Sequence, residues 1–387
     1  MQNFQYQTPT RLLFGVDVVE KLPEVLAPLG HTVLLTYGGG SIKKIGLYDK
    51  VKQLLEGFNV VELSGIAPNP KYDPSVLDGV KLCKDYGVEV ILAVGGGSVL
   101  DCSKAIAAGA KYDGDPWDLI TYKVPTRAAL PVVDILTLAA TGSEYDEGGV
   151  ISRTETNDKV GYMDRHLYPV ASFLDPRYTF SVSKKQTAAG CADAMNHVME
   201  QYFCEDSTLL NDGFCESALR SLMVNVKRAL ADPEDYTARA EFMQVCTYGC
   251  NGILSLGNSG SGWPCHGIEH ALSAYFDITH GEGLAIITPR WMRHILSERT
   301  LDRFVKYGVN VFGIDANLDK HEIADRAIQA TYDFFESIGI PMHLAEVGIT
   351  ADKIDEMAHH IAVNEGLETA YVPLTEADIK SILEASM

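Results

Sequence analysis

The sequence predicts an α/β N-terminal domain built on a parallel sheet, followed by an all-helical C-terminal domain. Three observations carry that reading. Short apolar runs alternate with amphipathic stretches through the first half of the chain. Strand signals fade after about Ser183, where long segments of helical period take over. At 387 residues the chain exceeds what one hydrophobic core usually holds, so two domains are expected, 1–182 and 183–387.

Taken in order, buried strands are read at His31–Tyr37, Val60–Leu63, Val90–Val94 and Leu130–Leu136. Between them, Lys43–Glu56 and Pro74–Tyr86 have helical spacing, with Leu77, Val80, Leu82 and Cys83 near one face. Around residues 149–163 the pattern GGVISR, TETND, KVGYM reads as an antiparallel hairpin. Ser183 is a candidate N-cap for a helix through QTAAGCADAMNHVMEQYF. The segments LLNDGFCESALRSLMVNVKRAL, ARAEFMQVCTYGCNGILSL and HEIADRAIQATYDFFESIG continue the helical period.

Composition narrows the partners. With 32 basic against 52 acidic residues the net charge is −20, which repels nucleic acid phosphates and anionic lipid. The most apolar stretch, VEVILAVGGGSVL, is short and broken by glycine, as in a buried strand rather than a membrane span. The start, MQNFQYQTPTRLLF, carries no basic segment followed by an apolar run. Eight scattered cysteines form no CxxC pair. Reduced thiols and a cytoplasmic setting are expected.

Three loops of small residues follow predicted strands. Gly95-Gly96-Gly97-Ser98 precedes a helical run, Val99–Ala108, where unpaired N–H groups and a positive dipole end suit a phosphate. The same residues also read as a simple strand-to-helix turn with Ser98 and Asp101 in a capping box, and the motif is not GxGxxG. Gly38-Gly39-Gly40-Ser41 follows the strand ending at Tyr37, with Lys43 and Lys44 close by and no acid directly after the strand. A ribose 2′-phosphate would be tolerated there, so NADP(H) is expected. Thr137–Glu144 (TLAATGSE) is the third loop, and it too reads as a capping box, Thr141 with Glu144. Lys159 is either a ribose contact or a solvated lysine.

In GCADAMNHVMEQ, Asp193 and His197 are four apart in a predicted helix, so a carboxylate and an imidazole share one face. Alone, such a pair reads as a surface hydrogen bond, but its neighbours Ala194, Met195, Val198 and Met199 are apolar. His266, His270 and His280 fall within fifteen residues of a weakly charged segment. One carboxylate and three imidazoles suit Fe(II), Zn(II) or a similar divalent ion. Cys191 and Cys265 flank these positions and read as packing thiols.

Together, GGGSxxDxxK (Gly95–Lys104), TGSE (Thr141–Glu144), ADAMNH (Ala192–His197) and HGIEH…HGEGLAI (His266–Ile286) resemble the iron-dependent, group III alcohol dehydrogenases. The loops TYGGGSIKKIG and GYMDRHLYP look most like that family's NADPH-linked butanol dehydrogenase and aldehyde reductase branch. The resemblance implies a Rossmann-like N-terminal domain, a helical C-terminal domain, a cleft between them and a homodimer. It implies metal ligation by Asp193, His197, His266 and His280, with His270 beside the nicotinamide ring as the catalytic residue. By the same likeness Gly38, Gly39, Gly40, Ser41 and Asn69 face the adenosine end of NADP(H). Gly95, Gly96, Gly97, Ser98 and Asp101 hold the pyrophosphate and nearby ribose, and Thr137, Thr141, Lys159 and Tyr178 line the remaining path. Asp146 departs from the branch, which carries an uncharged amide there.

The implied reaction is hydride transfer between the nicotinamide and a small aldehyde or primary alcohol such as butyraldehyde or butanol. A polyol or glycerol dehydrogenase using NAD shares the architecture, as do dehydroquinate synthase and glycerol-phosphate dehydrogenase types. The phosphorylated substrates of the last two need basic residues near the metal, and Asn251–Ile278 contains no lysine or arginine. A metal-storing scaffold would leave the glycine loops without a purpose.

Overall fold

The computed structural model describes residues 1–387. Backbone contacts divide the chain into two compact units. One comprises Gln7–Val182 and Pro233–Asn251, the other Met1–Tyr6, Ser183–Asp232 and Gly252–Met387.

The first unit is built on β1 (Arg11–Phe14), β2 (Thr32–Tyr37), β3 (Asn59–Leu63), β4 (Val90–Gly95), β5 (Val132–Leu136), β6 (Gly148–Arg153), β7 (Asp158–Met163) and β8 (Ala171–Leu174). Six of them form one sheet in the order β1-β8-β5-β4-β2-β3, and every pairing is parallel. Val33, Leu34, Leu35, Val90, Ile91 and Leu92 are fully buried, so both faces of the central strands are covered. That is why these strands read as continuous apolar runs rather than alternating ones. The expected hairpin is present as β6 and β7, paired antiparallel from Gly148↔Met163 to Arg153↔Asp158. β1 and β8, four residues each, pair at one edge of the sheet and gave no signal in the sequence.

The longer helices of this unit are α1 (Leu47–Leu54), α2 (Leu77–Tyr86), α3 (Gly97–Gly109) and α6 (Tyr236–Gly249). The helix expected over Lys43–Glu56 is two pieces, Ser41–Lys44 and α1, because Gly46 between them takes φ 73° and breaks the hydrogen-bond ladder. α6, whose sequence continues the helical half, falls in the sheet unit, where Thr247 donates to Glu144 Oε1 at 2.7 Å.

Two capping boxes expected from sequence are absent. α3 begins at Gly97 with no side chain capping it, and Asp101 instead accepts from Val150 N–H at 3.0 Å. No helix follows Thr141. Its hydroxyl accepts from Ser143 N–H at 3.2 Å, and Glu144 turns inward to Thr247.

Beneath the sheet's carboxyl edge lies a buried acid pair. Ser172 Oγ is 2.6 Å from both Asp134 Oδ2 and the Glu144 carbonyl. The Ser172 hydroxyl donates between these two acceptors, beside the fully buried carboxyl of Asp134. Burial accordingly pushes Asp134 well above the usual carboxylate range. Burial raises Glu144 from 4.5 to about 7. Folded Glu144 keeps a proton that the unfolded chain releases, so its contribution to stability is complete below pH 4.5 and is lost as pH rises through about 7. At about 1.4 kcal/mol per pH unit the loss is about 3 kcal/mol. Denaturant unfolding at pH 5 and pH 8 should therefore show a fall in stability that is smaller by about that amount in Glu144→Gln. An identical pH dependence in the two proteins would contradict the assignment.

The second unit is helical: α4 (Lys184–Tyr202), α5 (Leu209–Ala231), α7 (Pro264–Phe276), α8 (His280–Ile295), α9 (Leu301–Phe312), α10 (Lys320–Ser337), α11 (Ile354–Asn364) and α12 (Glu376–Ala385). Ser183 caps α4 as expected, accepting from Gln186 N–H at 3.2 Å. Nearly all of α4 is buried, including Asp193, His197 and Glu200. α4 is therefore the central helix of this unit, and it carries the first two metal candidates. No helix is long and apolar enough to cross a membrane.

Candidate metal centre and nucleotide loops

In the sheet unit the strand order reverses between β2 and β4: β3 lies outward of β2, while β5 and β8 lie on the far side of β4. Open α/β sheets bind ligands outside the carboxyl ends of the strands at such a switch. Tyr37 and Val94 are register partners, so the loops Gly38–Ser41 and Gly95–Ser98 leave the sheet side by side at this point. A Cβ added at Gly39 or Gly40 would meet nothing within 4 Å, which leaves open space over the first loop. At Gly97 a Cβ would come within 2.5 Å of the Thr141 side chain. Glycine there lets the third loop close onto the start of α3, whose first N–H groups no side chain caps. Thr137 N–H donates to Gly95 O at 2.9 Å and ties the same two loops at their base.

The other nucleotide candidates are spread more widely. Asn69 is buried with φ 47°. Lys159 lies on β7 with 6% of its surface exposed, so the solvated reading of it fails. Tyr178 follows β8 and packs against the sheet core, where burial raises its hydroxyl to about 12. Asp146 is the partner of a fully buried lysine: Lys104 Nζ donates to Asp146 Oδ1 at 2.8 Å, Asp146 O at 3.0 Å and Gly148 O at 2.7 Å. Asp146 thus helps tie β6 to α3 through Lys104.

The helical unit brings the metal candidates together. Asp193 Oδ1 stands 3.4 Å from His197 Nε2, 3.8 Å from His266 Nε2 and 3.6 Å from His280 Nε2. Asp193, His266 and His280 offer donor atoms all within 4.8 Å of one another. The rings of His197 and His266 stack at 4.8 Å and 14°. His270, one turn after His266 on α7, has its ring 5.8 Å from that of His280 and its Nδ1 3.9 Å from Glu365. Trp263, held at φ 51° between Gly262 and Pro264, presents its ring edge-on to His197 and His266. A bulky residue in the left-handed region is strained, and such strain persists only where the surroundings enforce it.

A divalent ion fits Asp193, His266 and His280, a group that does not include His197. Asp193 Oδ1 and His266 Nε2 are buried and have no hydrogen-bond partner. Ligand atoms about 2.1 Å from a tetrahedral ion stand about 3.4 Å from each other, close to the 3.4–3.8 Å between Asp193 Oδ1 and the three Nε2 atoms. The thiols of Cys191 and Cys265 are fully buried, and burial holds both well above the usual thiol range. The electrostatics point the same way. Burial alone would raise Asp193, but the imidazoles of His197, His266 and His280 hold it well below the usual carboxylate range. Burial lowers His197 to about 4, so its ring is neutral and ready to ligate at neutral pH. Burial would also lower His266, but Glu200 and Asp193 raise it to about 9, so metal uptake displaces a proton there.

Two carboxylates at this centre were missed in the sequence. Glu200 accepts from His266 Nδ1 and Glu269 from His280 Nδ1, and both are fully buried. The signal was a repeated H-x-x-E, in HVME and HGIE.

Residues 9–176 match the iron-containing alcohol dehydrogenase family, and residues 187–387 match its C-terminal domain. The chain is 46% identical to NADH-dependent butanol dehydrogenase A of Clostridium acetobutylicum, covering 100% of both chains. It is 40% identical to the NADPH-dependent aldehyde reductase YqhD of Escherichia coli, over 92% of this chain and 91% of that one. The crystal structure of an NADH-dependent butanol dehydrogenase A from Thermotoga maritima superposes with a TM-score of 0.95 at 37% identity, covering 100% of this chain and 99% of that one. The chemistry is that of an alcohol dehydrogenase or aldehyde reductase using a divalent metal ion and a nicotinamide nucleotide. On matches that together span almost the whole sequence, the chain belongs to the iron-containing alcohol dehydrogenase family.

Proposed function

We propose that the chain is an NADP(H)-linked reductase of small aldehydes such as butyraldehyde, with Fe(II) or Zn(II) held by Asp193, His197, His266 and His280. The observation that carries the reading is the convergence of three imidazole Nε2 atoms on one buried carboxylate oxygen. When bound, the ion polarises a substrate carbonyl and the dihydronicotinamide supplies the hydride. The residues of the chain do the rest. Trp263 places an aromatic ring beside His197 and His266, and the absence of lysine and arginine from Asn251–Ile278 favours an uncharged substrate. His270, whose ring lies 5.8 Å from that of His280, is suited to pass a proton, because an imidazole can both donate and accept one. Gly38–Ser41 and Gly95–Ser98 receive the adenosine and pyrophosphate ends, with Asn69, Asp101, Thr137, Thr141, Lys159 and Tyr178 along the remaining path.

The preference for NADP(H) rests on the loop after β2. Glu62, on the neighbouring strand β3, is already engaged by Tyr37, Tyr48 and Lys52 at 2.8–3.1 Å. Lys43 Nζ sits 5.1 Å and 4.7 Å above the rings of Tyr37 and Tyr48, which fixes a positive charge beside the open glycines. Lys43→Ala should lower kcat/KM for NADPH about tenfold, the loss of about 1.5 kcal/mol of charged hydrogen bonding, and leave NADH nearly unaffected. A second reading, NADH, is favoured by the cofactor named for the butanol dehydrogenase relatives. Steady-state rates with each cofactor on a panel from acetaldehyde to hexanal decide the matter. Faster NADPH oxidation supports the proposal. Faster NADH oxidation reverses the cofactor assignment, and no oxidation of either cofactor with any aldehyde overturns the function.

A further inference from the structure

We propose that Glu200 and Glu269 are positioning residues of the metal centre, each fixing the ring tautomer of the next ligand along the chain. The inference rests on the metal set proposed above and deepens it. Each glutamate follows a ligand histidine by three residues, Glu200 after His197 on α4 and Glu269 after His266 on α7. That spacing sets the carboxylate one turn beyond the ligand on the same side of its helix. Each then reaches the start of the following ligand helix. Glu200 receives Nδ1 of His266 together with the backbone N–H groups of Cys265, at 2.6 Å, and His266, at 3.4 Å. These are first-turn amides of α7, which have no partner within their own helix, so Glu200 caps α7 from a neighbouring helix. Glu269 receives Nδ1 of His280, the first residue of α8, and the Ser273 hydroxyl.

A carboxylate only accepts, so both Nδ1 atoms must carry the proton. The lone pair is then left on Nε2, and in both rings Nε2 is the atom facing Asp193. Three ligand helices are thereby coupled in sequence: α4 orients the ligand of α7, and α7 orients the ligand of α8.

The two glutamates differ in their second donor, and this makes the idea testable with isosteric changes. In Glu200→Gln the amide oxygen is claimed by Cys265 N–H, which cannot reverse its role. The amide NH2 then faces His266 Nδ1 and forces the proton onto Nε2, where it blocks ligation. In Glu269→Gln the second neighbour is a hydroxyl, which accepts as readily as it donates. Ser273 can take the amide NH2 and turn its own proton to the Ile278 carbonyl 3.4 Å away. The amide oxygen then still accepts from His280, and the ligating tautomer survives.

The experiment loads metal-free unmutated, E200Q, E269Q and E269A proteins with Zn(II) and measures affinity by competition with a chromophoric chelator. The visible spectrum of the Co(II) forms is recorded in parallel. E200Q and E269A should each bind about 10–100-fold more weakly than the unmutated chain, with an altered Co(II) spectrum. E269Q should match the unmutated protein in both. A merely structural role would lower the unfolding midpoint of the metal-free variants without separating the two glutamines. The inference is overturned if E200Q and E269A hold Zn(II) as tightly as the unmutated chain, or if E200Q and E269Q weaken it alike. Failure of the unmutated protein to take up Zn(II) or Co(II) would instead remove the metal set itself.

Discussion

Asp193→Ala should yield a folded protein that retains no metal ion and reduces aldehydes at about a thousandth of the normal rate or less. Asp193 supplies the anionic member of the set, and its Oδ1 is the atom that all three Nε2 atoms face at 3.4–3.8 Å. Without it, the ion would have no anionic ligand of its own in a buried site. Lewis-acid polarisation is worth several kcal/mol, and each 1.4 kcal/mol is about tenfold in rate, which gives the size of the loss. The fold should persist, because Oδ1 forms no hydrogen bond that the surrounding helices depend on. Metal content by mass spectrometry, circular dichroism and kcat/KM on one sample separate these effects. Near-normal turnover by a metal-free Asp193→Ala protein would contradict the proposed mechanism.

The second large effect is expected at Gly281→Ala. A Cβ at Gly281 would lie 1.9 Å from the backbone carbonyl oxygen of Ala189 and 2.6 Å from its carbon. Both atoms are backbone of α4, so no side chain can swing aside, and α8 must move away from α4. His280, the residue before, moves with it. Overpacking of this kind typically costs 1–3 kcal/mol and here should reach about 3, with Zn(II) affinity falling about tenfold as His280 leaves Asp193. Gly213→Ala on α5, where a Cβ meets nothing within 4 Å, is the control and should be neutral or slightly stabilising. Equal stability and equal metal affinity for Gly281→Ala and the unmutated chain would show that the helices tolerate the separation.

What was legible in the sequence, and what was not, divides by distance along the chain. Asp193 and His197 could be paired because helical spacing is local, and His266 and His280 because fifteen residues hold three imidazoles. The central strands were legible because burial on both faces leaves an unbroken apolar run, whereas RLLF and ASFL are too short to show a period. Glu200 was not legible: it meets His266 across 66 residues, and a glutamate inside a helix reads as an ordinary surface residue until packing buries it. Lys104 and Asp146 escaped for the same reason, 42 residues apart. Gly97 was singled out for a phosphate, and the structure supplies a separate reason for glycine there, since the Thr141 side chain excludes a Cβ. The capping boxes failed because Ser98 lies inside α3 rather than before it, and because Glu144 found a buried partner in Thr247.

X-ray absorption on the metal-loaded, unmutated protein tests the central assignment most directly. The spectrum should show three imidazole nitrogens and one carboxylate oxygen at about 2.0–2.2 Å, with no sulfur shell. A first shell containing thiolate at about 2.3 Å, or one made of water oxygens alone, would mean that the ion lies elsewhere than on Asp193, His197, His266 and His280.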